Sequence, residues 1–191
     1  FSRYYFTPIE VTDSTAVLRL TGAHGATIDL CYTLLPDNYL VNFSVQAKGM
    51  QGMLPTGTKH LAMTWHDRVA QHEKGFYFEN MYSTLTYKVH GDDTEKLSEN
   101  ATEEESVTGK VDWIAFKNQY FSSVLMAKQP LDEVDLKSEQ EEENCGYLKH
   151  YHAQMKAAFD PTGATATEFQ FFFGPNNYRL LQSMDNYRLS E

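Results

Sequence analysis

The residues best suited to chemistry in this chain are two histidines, His150 and His152, which stand two positions apart. Side chains at i and i+2 of a β-strand point to the same side, so both imidazoles could bind one metal ion. A third ligand would have to come from another part of the chain, and no residue adjacent in sequence suggests itself. Alternating histidines on an exposed strand are most often solvated, and we therefore expect no metal ion and no other cofactor.

Carboxylates offer a second possible chemistry, because acid–base catalysis needs two carboxyl groups in differently tuned environments. Most acidic residues lie in runs, where they repel each other and stay ionised. A few stand alone: Glu10, Asp29, Asp67, Glu79 and Asp112. The sequence also lacks the nucleotide-binding, nucleophile-elbow, zinc-protease and Cys-x-x-Cys motifs. We therefore expect no catalytic residues and a protein that is not an enzyme.

Aromatic side chains suggest a third possibility, since aromatic platforms line sugar-binding clefts. The chain has 12 tyrosines, 12 phenylalanines and 2 tryptophans, and the tryptophans Trp65 and Trp113 are the first candidates for such a cleft. The alternative, which we favour, is that both indoles fill the core, because large rings dominate burial in a sandwich.

Strands are the elements that the sequence predicts to position these side chains. Apolar and polar residues alternate in residues 26–34 and 39–47, and Pro36-Asp37-Asn38 between them has the composition of a tight turn. Further predicted strands cover residues 15–21, 61–70 and 167–173, and residues 113–128, in which the alternation is poor. Residues 76–90 fit one long strand or a broken pair of strands. Residues 147–158 fit a helix or a strand, and we predict a strand because antiparallel neighbours surround it. About nine strands with almost no helix indicate an all-β fold, an antiparallel β-sandwich in which residues 1–191 form one domain.

The net charge of −10 is concentrated in two segments, residues 92–106 and 132–143, each of which carries −6. Since these segments together hold −12, the rest of the chain carries about +2. The acidity argues against a nucleic-acid partner, whose phosphates would be repelled. Runs of like charge are usually solvated, and we predict that both segments are acidic loops.

Two cysteines, Cys31 and Cys145, are far apart in the sequence. A disulfide between them is allowed in an oxidising compartment. A count of two does not imply it, so the pairing stays open.

The end of the chain has a distinctive pattern in which residues 167–173 run into Gly174-Pro175. Glycine permits a sharp exit from a strand, and proline suits the first turn of a helix. Apolar residues then recur at helical spacing and predict a short helix over about residues 176–185: Tyr178, Leu181 and Met184.

Three segments of the sequence resemble the large periplasmic domain of the YidC-type membrane insertases of Gram-negative, Bacteroidetes-like bacteria. They are residues 113–121 (WIAFKNQYF), residues 173–178 (FGPNNY) and, in an early hairpin, residues 32–47 (YTLLPDNYLVNFSVQA). The resemblance covers most of the chain, and the first two motifs are the most specific.

This resemblance implies a β-supersandwich with the shape of galactose mutarotase and a short C-terminal helix. It implies a position on the periplasmic face of the bacterial inner membrane, between the first and second transmembrane helices of a multi-pass parent protein. Family members have further periplasmic residues before a segment such as residues 1–8, so we expect an N-terminally truncated fragment.

The parent proteins of this family insert and fold membrane proteins, alone or beside the Sec translocon, by means of a transmembrane core that this chain lacks. The resemblance therefore implies a non-catalytic domain that docks on Sec translocon subunits or on the insertase core, and meets nascent membrane proteins through its parent. Candidate docking residues lie on the predicted C-terminal helix: Tyr178, Arg179 and Gln182. The alternatives are a carbohydrate-binding or carbohydrate-active sandwich and a chaperone-like cleft for extended peptides.

Overall fold

The computed structural model of the protein describes residues 4–177, and almost all of its regular elements are strands. In chain order the elements are β1 (Thr7–Val11), β2 (Thr15–Thr21), β3 (Thr27–Leu34), β4 (Leu40–Lys48), β5 (His60–Ala70), α1 (Phe76–Met81), β6 (Thr84–Val89), β7 (Thr94–Lys96), β8 (Glu103–Ser106), β9 (Val111–Lys117), β10 (Phe121–Gln140), β11 (Tyr147–Ala158) and β12 (Thr167–Pro175). The predicted all-β class is confirmed, with twelve strands in the described residues instead of about nine. No helix within residues 4–177 has the length and apolar character that crossing a membrane requires.

The strands form two antiparallel sheets that share β10. The larger sheet has the order β1-β2-β3-β4-β12-β10-β9-β6-β7, and the smaller sheet has the order β8-β10-β11-β5. Strand β10 is 20 residues long, and its two halves have different partners. Residues 121–127 pair with β12, whereas residues 132–140 pair with β11. Shifts of register and a left-handed φ of 47° at Glu133 mark the change of sheet.

One main core fills the space between the two sheets. The larger sheet contributes Leu85, Ile114 and Leu125, and the smaller sheet contributes Leu148 and Tyr151, all with 0% of their surface exposed. Burial of apolar side chains of this size stabilises the fold by roughly 1.5–3 kcal/mol each. The predicted alternation of residues 147–158 is confirmed as β11, because its alternate residues enter this core.

The early hairpin also follows the prediction. Residues 26–34 and 39–47 correspond to β3 and β4, which lie opposite each other in the larger sheet. Asp37 in the turn between them has a φ of 51°, a left-handed conformation that aspartate tolerates better than most residues.

Gly174 lies inside β12 rather than at a sharp exit, so this part of the prediction is wrong. Pairing with β10 continues through Gly174 and Pro175. A Cβ atom at Gly174 would meet the Phe172 ring at 2.6 Å and the Tyr39 ring at 2.9 Å. The glycine therefore allows two aromatic rings to pack against the backbone of the strand.

The strand predicted over residues 76–90 is correct only in its second half. Its first half forms α1, and β6 begins at Thr84. Glu79 on α1 is 1% exposed, and its carboxylate accepts the backbone N–H groups of His72 at 3.0 Å and Glu73 at 2.8 Å. These hydrogen bonds tie the helix to the preceding loop, a tertiary stabilisation that the aromatic, strand-like composition of the segment does not reveal.

Residues 113–128 form two strands rather than one. The chain turns at residues 118–120, where the side-chain carbonyl of Asn118 accepts the backbone N–H groups of Tyr120 at 2.8 Å and Phe121 at 2.7 Å. Because the turn separates β9 from β10, alternation does not continue through it, which explains the poor pattern in the sequence.

The prediction that residues 92–106 and 132–143 are acidic loops is wrong for most of residues 132–143 and for about half of residues 92–106. Residues 132–140 belong to β10, whose Val134 and Leu136 point into the core while the intervening acids point outward. Residues 103–106 form β8, which pairs with β10, and residues 94–96 form β7. Burial of alternate apolar residues outweighs the repulsion between the acids, which stay in contact with solvent.

The predicted C-terminal helix over residues 176–185 falls outside the described residues from position 178 onward. Asn176 and Asn177 are described and are not helical. Asn176 donates its backbone N–H to the carbonyl of Tyr120 at 2.8 Å and its side-chain amide N–H to the carbonyl of Asn118 at 2.7 Å. The chain therefore leaves β12 beside the turn between β9 and β10.

Candidate functional site

The outer face of the smaller sheet carries a groove of about 630 Å³. Its walls come from β8, β10 and β11, and most of its lining is polar. The charged lining residues are Glu104, Glu105, Asp135, Lys137 and Glu139. This acidic groove exists because Glu104 on β8 lies opposite Lys137 on β10 and so shares the outer face with Asp135 and Glu139. Glu105, the next residue of β8, lies opposite the core-facing Leu136.

Strand register brings three potential metal ligands together beside the acidic groove. His150 on β11 lies directly opposite Glu139 on β10, and His152 is two residues further along β11. One donor atom from each of these residues lies within 4.8 Å of the other two. The two imidazole rings have their centres 3.9 Å apart. We refer to Glu139, His150 and His152 as the His–Glu cluster.

A third histidine borders the His–Glu cluster. His66 on β5 lies opposite His152, and its ring centre is 5.9 Å from that of His150 and 6.1 Å from that of His152. His66 is exposed, whereas the other two histidines are half-buried. Four adjacent side chains on three strands thus form a patch that can accept protons or bind a cation.

The electrostatic environment favours the neutral imidazole of His152. Burial lowers the pKa of His152 from its ordinary value, and the neighbouring His150 and His66 lower it further. Lys137 lies opposite His152 and is 3.0 Å from the Glu104 carboxylate and 3.9 Å from that of Glu139. A neutral imidazole keeps a lone pair free, so His152 can act as a ligand at neutral pH.

The two tryptophans proposed from the sequence do not share a cleft. Trp65 stacks on Phe116 with ring centres 4.0 Å apart and packs against the main core. Trp113 is half-buried and, because side chains alternate along β9, points to the side opposite Phe116. The two tryptophans therefore do not form a common aromatic platform, and a carbohydrate-binding function stays a prediction. The other proposed residues, Tyr178, Arg179 and Gln182, lie outside the described part of the chain.

A second surface of functional interest lies where the chain leaves β12. Large exposed side chains gather there on α1 and on the turn between β9 and β10. We call this surface the aromatic end, and its residues are Tyr77, Phe78, Met81, Tyr82, Tyr120 and Phe121. The Tyr120 hydroxyl donates to the Glu73 carboxylate at 2.6 Å, and Glu79 holds the backbone of Glu73, so the turn and α1 are connected.

Sequence reasoning identified neither Glu139 nor His66 as a neighbour of His150 and His152. The overlooked signal is the alternation of Val134, Leu136 and Ser138, which marks residues 132–140 as a strand. A hairpin from this strand to residues 147–158 would have brought Glu139 close to His150. The cysteines left open by the sequence, Cys31 and Cys145, are both free.

A family model and the most similar sequences point to the same family. The family model described as the YidC periplasmic domain matches residues 5–190. The membrane protein insertase YidC of Bacteroides fragilis is 44% identical over 185 residues, which cover 97% of this chain and 30% of that protein. Its counterpart in Phocaeicola vulgatus is 46% identical over 187 residues, which cover 98% of this chain and 30% of that protein. The chain thus spans less than a third of the length of these relatives.

Among solved structures, a galactose mutarotase related enzyme from Lactobacillus acidophilus aligns with a TM-score of 0.45 and 10% identity, covering 88% of this chain and 70% of that one. The family match extends over almost all of the chain, and the relatives are more than 40% identical across it. The motifs at residues 113–121 and 173–178 lie within the matched region. The chain belongs to the family of YidC periplasmic domains.

Proposed function

We propose that this chain is a non-catalytic periplasmic domain that assists the insertion and folding of membrane proteins by docking on other parts of the insertion machinery. Its partners are the transmembrane core of its own parent protein or subunits of the Sec translocon, at the periplasmic face of the inner membrane. Nascent membrane proteins meet the domain through the parent protein. Membership of the YidC periplasmic domain family supports this assignment.

The aromatic end is the observation that carries the docking proposal. Tyr77, Phe78 and Tyr82 are 66%, 58% and 46% exposed, although aromatic side chains of this size are usually buried. Exposed apolar residues gathered on one surface mark contact sites, and aromatic residues are enriched both in protein interfaces and at membrane surfaces.

The position of the aromatic end relative to the exit of the chain supports the same proposal. Asn176 is bonded to the turn that carries Tyr120, so residues 178–191 begin beside this surface. In a domain that lies between two transmembrane helices, the end from which the chain continues is the end nearest the membrane. The aromatic end is therefore the surface that meets the membrane part of the machinery.

Site-specific photocrosslinking in the full-length parent protein, in its native membrane, tests this proposal. A photoreactive residue at Phe78 or Tyr82 is expected to crosslink to a Sec subunit or to the parent's transmembrane core. Met53 is the matched control, because it is 45% exposed but lies near Ala26 and Gly22, at the opposite end of the sandwich from Pro175. Equal crosslinking from Met53 and Tyr82, or none from either aromatic position, would count against docking through this end.

A further inference from the structure

We propose that Glu139, His150 and His152 form a binding site for a divalent transition metal ion of the Zn²⁺ class. The site is independent of the docking surface proposed above, since it rests on the outer face of the smaller sheet. It is the one group of three or more histidine, cysteine or carboxylate ligands with this proximity in residues 4–177.

The distances between the donor atoms are close to those of an occupied site. In a tetrahedral zinc site with bonds of about 2.0–2.1 Å, neighbouring donor atoms lie about 3.4 Å apart. The three donors here lie within 4.8 Å of one another. Rotations about side-chain bonds alone can move each donor by the remaining distance, so the backbone need not shift.

The backbone beneath the His–Glu cluster holds these side chains at a fixed spacing. Glu139 and His150 are direct cross-strand partners, and β11 is paired along its other side with β5. Central strands of a sheet are less free to move than loops, so the ligands are already arranged before a metal ion binds. This saves most of the conformational entropy that a site on flexible loops would lose.

The chemistry of the donors selects the kind of ion. Two imidazole nitrogens and one carboxylate oxygen are a ligand set that Zn²⁺, Co²⁺, Ni²⁺ and Cu²⁺ accept, whereas Ca²⁺ and Mg²⁺ prefer oxygen ligands alone. Three protein ligands leave a fourth coordination position open. Glu139 and His152 also line the acidic groove, so an ion can reach the site from the groove.

The neighbouring charges are compatible with a bound cation. Lys137 is the basic residue nearest to the His–Glu cluster in the groove, and Glu104 draws its ammonium group to 3.0 Å. Arg68, which lies opposite His150 on β5, is engaged by Glu141 at 2.6 Å. Both basic groups are thus partly neutralised, and the surrounding acids make the local potential negative.

Titration of the 191-residue chain, without any histidine tag, with Zn²⁺ and Co²⁺ tests the proposal. We expect one ion per chain in calorimetry and no saturable binding of Mg²⁺ under the same conditions. His150→Ala and His152→Ala should each weaken Zn²⁺ binding by about 100-fold or more, and Glu139→Gln by about 10-fold. His60→Ala is the matched control, because His60 is an exposed histidine on β5 that lies outside the His–Glu cluster.

The absorption spectrum of bound Co²⁺ gives a second readout. Nitrogen and oxygen ligands without sulfur should produce ligand-field bands but no thiolate charge-transfer band, and Cys145→Ser should leave the spectrum unchanged. Circular dichroism of each variant verifies that it is folded, which is expected because the replaced side chains are on the outer face of the sheet.

Several results would overturn the proposal. These are the absence of saturable Zn²⁺ binding by the folded wild-type chain, and binding that survives both histidine substitutions in folded variants. Loss of binding in Cys145→Ser would also overturn it, because the ion would then be held by the exposed thiol. If a histidine variant does not fold, Glu139→Gln decides, since unchanged affinity in that variant contradicts the assigned ligand set.

Discussion

Replacing Lys149 with methionine is expected to flatten the pH dependence of the free energy of unfolding above neutral pH. Lys149 lies on β11 with 0% of its surface exposed, and its ammonium group donates to the backbone carbonyl of Glu99 at 2.8 Å. Burial lowers the pKa of Lys149 from 10.5 to about 8, because desolvation penalises the charged form, and the Glu99 carboxylate opposes this shift only in part. Methionine has a similar length and does not titrate.

The sign of the effect follows from the number of protons bound in each state. Between about pH 8 and 10.5 the unfolded chain keeps the proton on Lys149, whereas the folded chain has lost it. Unfolding therefore takes up a proton, and the free energy of unfolding rises with pH across this window. A shift from 10.5 to about 8 corresponds to roughly 3 kcal/mol in total, of which about 2 kcal/mol should appear between pH 7 and 9.5.

Urea denaturation of the wild type and of Lys149→Met at several pH values between 7 and 9.5 measures this contribution. Subtracting the free energy of unfolding of the variant from that of the wild type removes the contribution of other titrating groups. One of these is Tyr87, because burial raises the pKa of Tyr87 to about 12. We expect the free energy of unfolding of the wild type, relative to the variant, to increase by about 2 kcal/mol over this range. The reasoning would be refuted if the free energies of unfolding of wild type and variant, at equal denaturant dependence, changed in parallel with pH. It would also be refuted if the difference between them fell as the pH rises.

Two further substitutions test the local packing and hydrogen bonding. Glu79→Gln should lower the free energy of unfolding, measured by urea denaturation, by about 1.5–3 kcal/mol, because the Glu79 carboxylate accepts two backbone N–H groups. The control is Glu142→Gln at an exposed position, which should change this free energy by less than about 0.5 kcal/mol. Equal losses in the two variants would contradict this role of Glu79. Gly163→Ala should destabilise the folded protein by about 1–3 kcal/mol more than Gly57→Ala does. Both glycines have a φ of +86°, but only at Gly163 would an added Cβ meet the Ala47 carbonyl oxygen, at 2.1 Å. Equal melting temperatures for these two variants would show that the close approach is relieved at no cost.

The strands that the sequence predicts correctly are those in which one face is apolar over at least seven residues. Residues 39–47 and 147–158 are examples, and their alternation survives because each strand buries residues of one side in the core. Family membership is also accessible from the sequence, since the motifs at residues 113–121 and 173–178 are short, continuous segments.

The elements that the sequence predicts wrongly depend on distant residues. Helix α1 is only six residues long and aromatic, so its composition favours a strand. What stabilises it is the buried Glu79 and the loop that Glu79 binds. Charge dominates the composition of the acidic segments and favours loops. Val134 and Leu136 nevertheless lie on one side of β10 and pack into a core that other strands supply.

The sequence by itself determined the class of fold, most of the strands and the two histidines that share one side of β11. Only the tertiary structure decided that Glu139 lies opposite His150, and that α1 and the β9–β10 turn meet where the chain leaves β12. The physical reason is that side-chain alternation within a strand is a local property of the backbone. Which residues face each other on different strands depends on register, and register is set by turns and by burial of the whole sheet.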